Sequence, residues 1–498
     1  MPQPEWVSGT RATMTILATG LGASITAADP VILSANISDV RAGLQLSAGS
    51  TSFIAGLATL TLAAAVLGAG ALGDKYGMKR MYTAGLLGAV VFGVLAAAAP
   101  NAAVLMVARA GAGLAFALLL GLSLAIINVV FPPERRSQAI SLHLGASFAV
   151  AVPMPVLGSL LAVHIGWRAC FLVAPAVALV ALVLVLRYVP DTPRSARRLD
   201  VTGLLLVATA LLATVYGLSR LQSGIHAGAI VPIMIGAVAL AAFIAFELRV
   251  REPALDLRIF RNRAFDAAVC SGVAFNFISG GSTILLAFYL VTVRGESPAV
   301  LGFLMAPAAL LSAVAAAGAG RAAARSGPRP VLVAGLVSVL AGLLVLTTLG
   351  EHSGLAVVFA AVGLNAIGAA VAETMEATIM MADAPVALSG AVAAVKSAVG
   401  QAAYSMGPAV FALVGTTLFV RESHGITLED AREALCPAHG GAGSAAGTNV
   451  LDPQRAREVV DGAHAGMIEA IHTLGWVLTA VPVAAIILVL VLVPRRSR

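Results

Sequence analysis

The chain has 498 residues, of which 59% are hydrophobic and 11% are charged, and its formal net charge is +7. Soluble globular domains carry about 25% charged residues, so this chain has too little polar surface to fold in water. Its mean hydropathy of +0.96 predicts a protein dissolved in lipid, where helices of about 20 apolar residues cross the bilayer. A soluble enzyme is therefore excluded. The positive charge is explained by orientation in a membrane and needs no nucleic acid.

Apolar runs separated by charged residues or by glycine and proline predict an all-α integral membrane protein with fourteen transmembrane helices. The start MPQPEW lacks the basic and apolar regions of a signal peptide, so we expect the first span to be retained. The predicted spans are residues 12–37, 50–72, 81–99, 102–127, 138–163, 168–189, 200–220, 227–247, 264–292, 298–319, 329–349, 354–381, 385–420 and 467–493.

Lysine and arginine are distributed unevenly between alternate loops. If both termini lie inside, the inner segments hold 21 of these residues and the outer segments hold 8. Basic residues are retained on the cytoplasmic side, so we expect a multi-pass protein of the cell membrane with both termini cytoplasmic. The long segment 421–466 then lies outside, where EDAREAL and DPQRAREVV are candidates for short amphipathic helices.

A glycine-rich loop occurs twice, as GAGALGDKYGMKRM after the second span and as GAGRAAARSGPRP after the tenth. In a transporter made of two six-helix halves, equivalent loops are six helices apart, whereas these two loops are eight helices apart. The spacing predicts two pseudo-symmetric six-helix bundles with two further helices inserted between them. The expected units are an amino-terminal bundle at 1–190, two inserted linker helices at 191–250, and a carboxyl-terminal bundle at 251–498 that includes the loop 421–466.

The first of these loops resembles the loop signature of the major facilitator superfamily. The helix count and LDVTGLLLVATALLATVYGLS at 199–219 resemble its fourteen-helix drug:proton antiporter family, and the resemblance covers about residues 15–420. It implies that Asp74 helps to latch the cytoplasmic side when the outside is open. An ordinary loop that only sets orientation is the alternative. The signature residues are Gly70, Gly73, Asp74, Gly77, Lys79 and Arg80.

Two further stretches resemble motifs of that family. LMVARAGAGLAFA carries Arg109 as in the fourth-helix motif, with Ala112 where the family usually has Gln. ADPVILSANI keeps the acid of the first helix as Asp29, whereas Val31 and Ser34 replace the usual Thr and Asn. The resemblance implies that Asp29 is a cation-coupling residue, and we expect Asp29 and Arg109 both to take part in proton coupling.

The fifth span also resembles a family motif. GASFAVAVPMPVLGSL is similar to the antiporter motif in Gly145, Pro155 and Gly158, whereas Met154 and Ser159 replace two glycines. By resemblance, this helix implies transport directed outward.

Three acids and two bases lie well inside predicted spans: Asp29, Glu373, Glu376, Arg109 and Lys396. An ionised side chain at mid-bilayer costs about 3 kcal/mol on insertion scales, so each needs an opposite charge or a reversible proton. The helical rise of about 1.5 Å per residue places Asp29 and Arg109 at similar depth, and Glu373 and Lys396 at similar depth. Each base can then pair with one acid, and Glu376 is the acid that remains without a base.

A lone buried carboxyl group favours its protonated form, and it can exchange its proton when water reaches it. We therefore expect Glu373 and Glu376 to face a central water-filled cavity, with at least one of them carrying the coupling proton. Lys396 is the expected charge partner in that cavity. Static ion pairs that only fix helix packing are the alternative, both for this group and for Asp29 with Arg109.

Asn365 lies three helical turns before Glu376 and shares its face, which predicts a polar stripe pointing inward. Together with Asn276 and Met375, it is a candidate for lining the substrate cavity. For Met375, and for Met380 and Met381, packing in the core is the favoured alternative.

The cysteines Cys170, Cys270 and Cys436 form no disulfide framework and no metal pattern, although a bridge between Cys170 and Cys436 stays open. Cys436 and His439 resemble half of a metal site with no second half, so a solvated loop is the favoured interpretation. We expect no metal and no cofactor.

These observations favour a monomeric, proton-driven exporter of amphipathic small molecules, working by alternating access in a lipid bilayer. With aromatics at only 5%, cages of aromatic rings around a cation would be scarce. Alternatives are export of a specific lipid or natural product, uncoupled or inward transport, and a membrane sensor or scaffold that works through the outer loop. A membrane enzyme is least favoured, because the sequence shows no nucleophile–base pair near the interface.

Overall fold

The computed structural model describes residues 6–46, 48–194, 200–221, 226–250, 262–296, 299–382, 388–422 and 453–494. Within these ranges the regular structure is helical and contains no strand. Thirteen of the helices described are long and apolar enough to cross a membrane. A fourteenth, Ser389–Glu422, has 34 residues but a more polar sequence that includes Lys396. The protein is a multi-pass, all-α membrane protein, as its composition predicts.

The amino-terminal half contains the first six predicted spans. The fifth span is broken, because Pro153 and Pro155 lack the N–H groups that a continuous helix would use. The sixth span opens with a 3₁₀ turn at Trp167–Leu172. The helices are α1 (Gly9–Leu44), α2 (Ala48–Tyr76), α3 (Met78–Ala97), α4 (Ala102–Val130), α5 (Pro133–Ala151), α6 (Pro153–His164) and α7 (Val173–Tyr188).

Two helices follow this half, α8 (Val201–Leu221) and α9 (Ala227–Glu247). They pack against each other, and α8 also packs against α2 and the later helix Ser389–Glu422. The inserted pair therefore lies beside helices from both halves of the chain.

The carboxyl-terminal half contains the remaining helices. The last span is divided at Thr479, and its first part begins at Pro453, so DPQRAREVV is largely continuous with a membrane helix. EDAREAL lies outside the described residues. The helices are α10 (Arg263–Thr292), α11 (Ala299–Ser326), α12 (Pro328–Leu346), α13 (Leu355–Ala382), α14 (Ser389–Glu422), α15 (Pro453–Leu478) and α16 (Ala480–Leu492).

The repeated glycine-rich loops have the same structure. Gly77, with φ of 99°, precedes α3, and Gly327, with φ of 84°, precedes α12. Both values lie in the region where a side chain is strained and glycine is favoured. The packing repeats as well, because α2 lies on α14 of the other half while α11 lies on α5. These features agree with two pseudo-symmetric bundles.

Glycines bring the two halves into close contact. A Cβ atom on Gly145 of α5 would lie 2.9 Å from the carbonyl oxygen of Ala313, and one on Gly320 of α11 would lie 2.1 Å from Ser141 Oγ. Any larger residue at these positions would push the helices apart. The interface between the halves is therefore built from small residues and depends on close backbone approach.

Candidate functional site

The acids of α13 share one base from α14. Lys396 Nζ donates a hydrogen bond of 2.7 Å to Glu373 Oε1 and lies 3.9 Å from Glu376 Oε2. The second distance is too long for a hydrogen bond. The structure thus has the arrangement expected from the matched depths: Glu373 is hydrogen-bonded to the lysine, and Glu376 is not.

The two carboxylates have different surroundings. The Glu373 side chain is 29% exposed, whereas that of Glu376 is 2% exposed. In the described part of the chain, Glu376 Oε2 has no hydrogen-bond partner. A Cβ on Gly272 would lie only 1.9 Å from Glu376 Oε1, so the carboxyl group is held against α10 inside the protein. Glu376 faces the protein interior and not the lipid.

A second ion pair lies in the amino-terminal half. Nη1 of Arg109 on α4 donates a hydrogen bond of 3.0 Å to Oδ1 of Asp29 on α1, and Nη2 forms an ion-pair contact of 2.7 Å with Oδ2. Both side chains are buried. A charge-assisted hydrogen bond of this kind is among the stronger ones in proteins. The structure therefore brings together the acid and the base predicted to pair.

Asp74 joins the two halves at one end of the bundle. Its Oδ1 accepts a hydrogen bond from the Gly390 N–H at 2.9 Å, and its Oδ2 accepts one from the Ala391 N–H at 3.1 Å. These are the first backbone donors of α14, where the helix dipole favours a negative charge. The structure therefore places Asp74 at a helix N-terminus of the opposite half.

The contact around Asp74 is tight. A Cβ on Gly70 would lie 2.4 Å from the Gly390 carbonyl oxygen, so only glycine fits between α2 and α14 here. Nearby, Asn128 of α4 donates a buried hydrogen bond of 2.9 Å to Ser389 Oγ. We name this region, defined by Gly70, Asp74, Asn128, Ser389 and Gly390, the closed end of the bundle.

The other signature residues act locally. Gly73 lets α2 approach Leu122 of α4, and Gly77 provides the turn into α3. Lys79 lies 3.5 Å from the exposed Asp191, and Arg80 is exposed. These residues shape and orient the loop, whereas Asp74 makes the contact between the halves.

The residues that resemble the antiporter motif pack on two sides. Gly145 lies against α11, whereas a Cβ on Gly158 would lie 2.7 Å from Ile32 of α1. Pro155 lies in the first turn of α6, just after the break in the fifth span. The motif therefore places the broken helix between α1 and the opposite half.

A small, mainly apolar cavity of about 80 Å³ lies between α10, α11, α12 and α13, with a few polar residues in its wall. Asn365 lines it and is hydrogen-bonded to Ser279 at 3.1 Å and to Ser282 at 2.7 Å. Asn276 is bonded to the backbone of its own helix. Met375 is fully buried in the hydrophobic core in this conformation, and Met380 and Met381 are almost fully buried there. Their burial favours a role in core packing for all three residues.

Sequence reasoning missed His143. It is buried in α5, and its Nδ1 lies 3.0 Å from Thr19 Oγ1 of α1. An ionisable residue within a membrane helix is by itself a signal of function, and SLHLGAS near the start of the fifth span contains that signal.

Cys170 is buried and Cys270 is exposed, and both are free thiols. Cys436 and His439 lie outside the described residues. Among the residues that are described, no group of three or more His, Cys, Asp or Glu side chains could hold a metal ion.

The comparisons with known proteins agree with this geometry. Residues 14–408 match the model of the Major Facilitator Superfamily. The multidrug resistance protein Stp of Mycobacterium tuberculosis is 30% identical over 413 residues, covering 81% of this chain and 75% of Stp. The multidrug efflux pump LfrA of Mycolicibacterium smegmatis is 30% identical over 472 residues, covering 92% and 91%. The tetracenomycin C resistance and export protein of Streptomyces glaucescens is 29% identical over 413 residues, covering 80% and 75%.

Solved structures share the fold. The human organic anion transporter MFSD10 aligns with a TM-score of 0.63 at 16% identity, covering 97% of this chain and all of that one. The proton:xylose symporter XylE aligns with a TM-score of 0.61 at 15% identity, covering 98% and 96%. The helix count, the repeated loop and the matched family model together show that this chain belongs to the Major Facilitator Superfamily and is similar to its multidrug and antibiotic-resistance exporters.

Proposed function

We propose that the protein is a proton-coupled exporter of amphipathic small molecules that works by alternating access. The observation that carries this proposal is the state of Glu376. Its carboxyl group is buried, and it is 3.9 Å from a lysine that is already hydrogen-bonded to Glu373. A carboxyl group in that position is stabilised by a proton when water is excluded, and it loses the proton when water enters.

The alternative of static ion pairs fits one pair better than the other. Asp29 and Arg109 are one acid and one base that are hydrogen-bonded to each other and both buried, so their charges balance without a proton, as in a structural pair. Glu373, Glu376 and Lys396 hold two acids for one base, so the group is not neutral without a further proton. The three-residue group therefore suits a reversible proton, and we assign Asp29 and Arg109 a supporting role in coupling.

The closed end fits one state of an alternating-access cycle. The contacts of Asp74 and Asn128 with the start of α14 seal the two halves together at the end where the basic loops lie. We assign this end to the cytoplasm, because basic loops are retained there. The structure then corresponds to a conformation closed toward the cytoplasm, and breaking these few contacts would allow the halves to rock.

The names of the relatives support the substrate class, since they include multidrug pumps and a protein that exports tetracenomycin C. Two negative charges beside one positive charge favour cationic substrates. We propose that the bundles expected at 1–190 and 251–498 enclose a path within one chain, and that the protein is therefore a monomer. We further propose that the proton gradient drives it without a cofactor, and that α8 and α9 are an accessory pair.

The proposal is tested in vesicles that contain the purified protein, with ethidium as the probe. An imposed pH gradient should drive ethidium uptake into inside-acidic vesicles in which the closed end faces out, with proton release in return. Uptake without proton movement would show an uncoupled transporter. Deleting residues 430–460 should leave at least partial flux, whereas a sensor that works through that segment would lose its function.

A further inference from the structure

The proposed mechanism uses the acids of α13 but not His143, which is the buried ionisable residue of α5. Its exposure is 1%, and Nδ1 lies 3.0 Å from Thr19 Oγ1. Nε2 has no hydrogen-bond partner among the described residues. A buried polar atom without a partner is costly, so its retention at the helix interface calls for a function.

The hydrogen bonds around Thr19 determine which ring nitrogen carries the proton. Thr19 has one hydroxyl hydrogen, and Oγ1 lies 3.0 Å from the Thr15 carbonyl oxygen and 3.1 Å from that of Ile16. The hydroxyl donates to these carbonyls, so it must accept from His143 Nδ1–H. Nε2 of the neutral ring is then the unprotonated nitrogen with a free lone pair.

Close packing of α1 fixes this geometry. Tyr82 of α3 donates a hydrogen bond of 2.9 Å to the Thr19 carbonyl oxygen, and Gly22 leaves the space that the tyrosine hydroxyl needs. A Cβ on Gly20 would lie 3.2 Å from the His143 carbonyl oxygen. The ring is therefore held by its Nδ1 side, and a proton can be gained or lost at Nε2 without breaking the bond to Thr19.

The charged group that acts on His143 comes from the opposite half of the protein. Helix α13, which carries Glu373 and Glu376, packs against α5, and Lys396 of α14 binds Glu373. Tyr82 is the ionisable group of α3 at Thr19, and α11 presents Ala313, Ala317 and Gly320 to α5. His143 therefore senses the charge of the site that carries the proposed coupling proton.

We infer that His143 is a second proton-binding residue of the transport cycle, placed in the amino-terminal half opposite the Glu373–Lys396–Glu376 group. With both glutamates ionised, that group carries a net charge of −1. One proton makes the four residues neutral, whether it binds Glu376 or His143 Nε2. The two positions are alternatives, since a proton at one removes the excess negative charge that favours a proton at the other.

This charge balance links protonation to the movement of the halves. In the closed conformation the ring of His143 is buried away from water, where a charge on it is costly, so the proton belongs on Glu376. When the halves separate and water reaches the interface, Lys396 moves relative to α5 and the ring becomes able to accept a proton from water at Nε2. Release returns that proton to water and restores the neutral ring, still bound to Thr19 through Nδ1.

The inference rests on the proposed function, and two matched variants test it in the ethidium vesicle assay. His143→Asn keeps an N–H group placed like Nδ1, so it can still bind Thr19, but it cannot take a proton. Thr19→Val removes the hydrogen bond but keeps the titratable ring. We expect His143→Asn to lower pH-driven ethidium accumulation about tenfold while exchange of ethidium across the membrane continues. We expect Thr19→Val to keep ethidium transport coupled to protons but to change the pH dependence of that transport.

A purely structural role predicts the reverse order, with Thr19→Val impaired and His143→Asn normal, and that result would overturn the inference alone. Wild-type vesicles that move ethidium without protons would overturn the proposed function as well.

Discussion

Glu376 Oε2 lies 3.9 Å from Lys396 Nζ, a distance at which the two charges attract but share no hydrogen bond. The lysine is instead bound to Glu373 at 2.7 Å. This unequal sharing distinguishes the two acids of α13. Glu373 is the fixed partner, and Glu376 is the acid whose charge depends on water.

The position of the Glu376 carboxyl group depends on Gly272. A methyl group there would lie 1.9 Å from Oε1, so Gly272→Ala must move the carboxyl group. We expect this variant to lower proton-driven ethidium transport several-fold while leaving the fold intact, because the end of a flexible side chain can shift. Transport in vesicles measures the effect. Gly400→Ala is a control, since its Cβ would make an ordinary contact of 3.4 Å with Asn276, and equal transport by both variants would contradict the assignment.

Arg109 and Asp29 form the pair whose loss should most reduce stability. Arg109→Met leaves Asp29 buried without its partner, and breaking a buried pair in this way costs about 3–5 kcal/mol. The free energy of unfolding, measured by denaturation in detergent, should fall by that order.

Adding Asp29→Asn to Arg109→Met should recover much of that loss, because no isolated charge remains. Arg80→Met, at an exposed position, should change stability little. Equal destabilisation by the single and double variants would show that the two residues do not act as a pair.

The bonds from Asp74 to the start of α14 should stabilise closure. Asp74→Asn weakens a charge–dipole interaction of about 0.3–1 kcal/mol, which shifts the equilibrium toward the conformation open at that end by up to about fivefold. A cysteine at Ala394, buried at the same interface, should then react faster with a water-soluble thiol reagent, in a chain whose own cysteines are replaced by serine.

Asp191→Asn is the matched control for this experiment, because its side chain is 88% exposed at the same end. An unchanged labelling rate in Asp74→Asn would mean that the bonds to Gly390 and Ala391 do not hold the end closed.

The sequence predicts the helices well because apolar runs must be about as long as the bilayer is thick. It also predicts the pairing of Asp29 with Arg109 and of Glu373 with Lys396, since depth in a helix is proportional to residue number and isolated charges are costly in lipid. Both pairs could be derived without knowing how the helices are arranged.

Other features depend on the arrangement itself. The partner of Asp74 is a backbone terminus 316 positions away, and no residue type at Gly390 indicates it. The environment of His143 is made by Thr19, 124 positions earlier, and by α13 of the other half, which packs against α5. The division of the fifth span follows from Pro153 and Pro155, because their missing N–H groups break a helix without changing the hydropathy of the span.

The most direct test of the central claim is proton release per ethidium transported, compared between wild type and Glu376→Gln in the same vesicles, with the exposed Glu351→Gln as the control. We predict that wild type and the control exchange protons for ethidium. Glu376→Gln should still exchange ethidium for ethidium across the membrane but should not accumulate it in response to a pH gradient. Undiminished accumulation and an unchanged proton count in Glu376→Gln would contradict the assignment of the coupling proton to this residue.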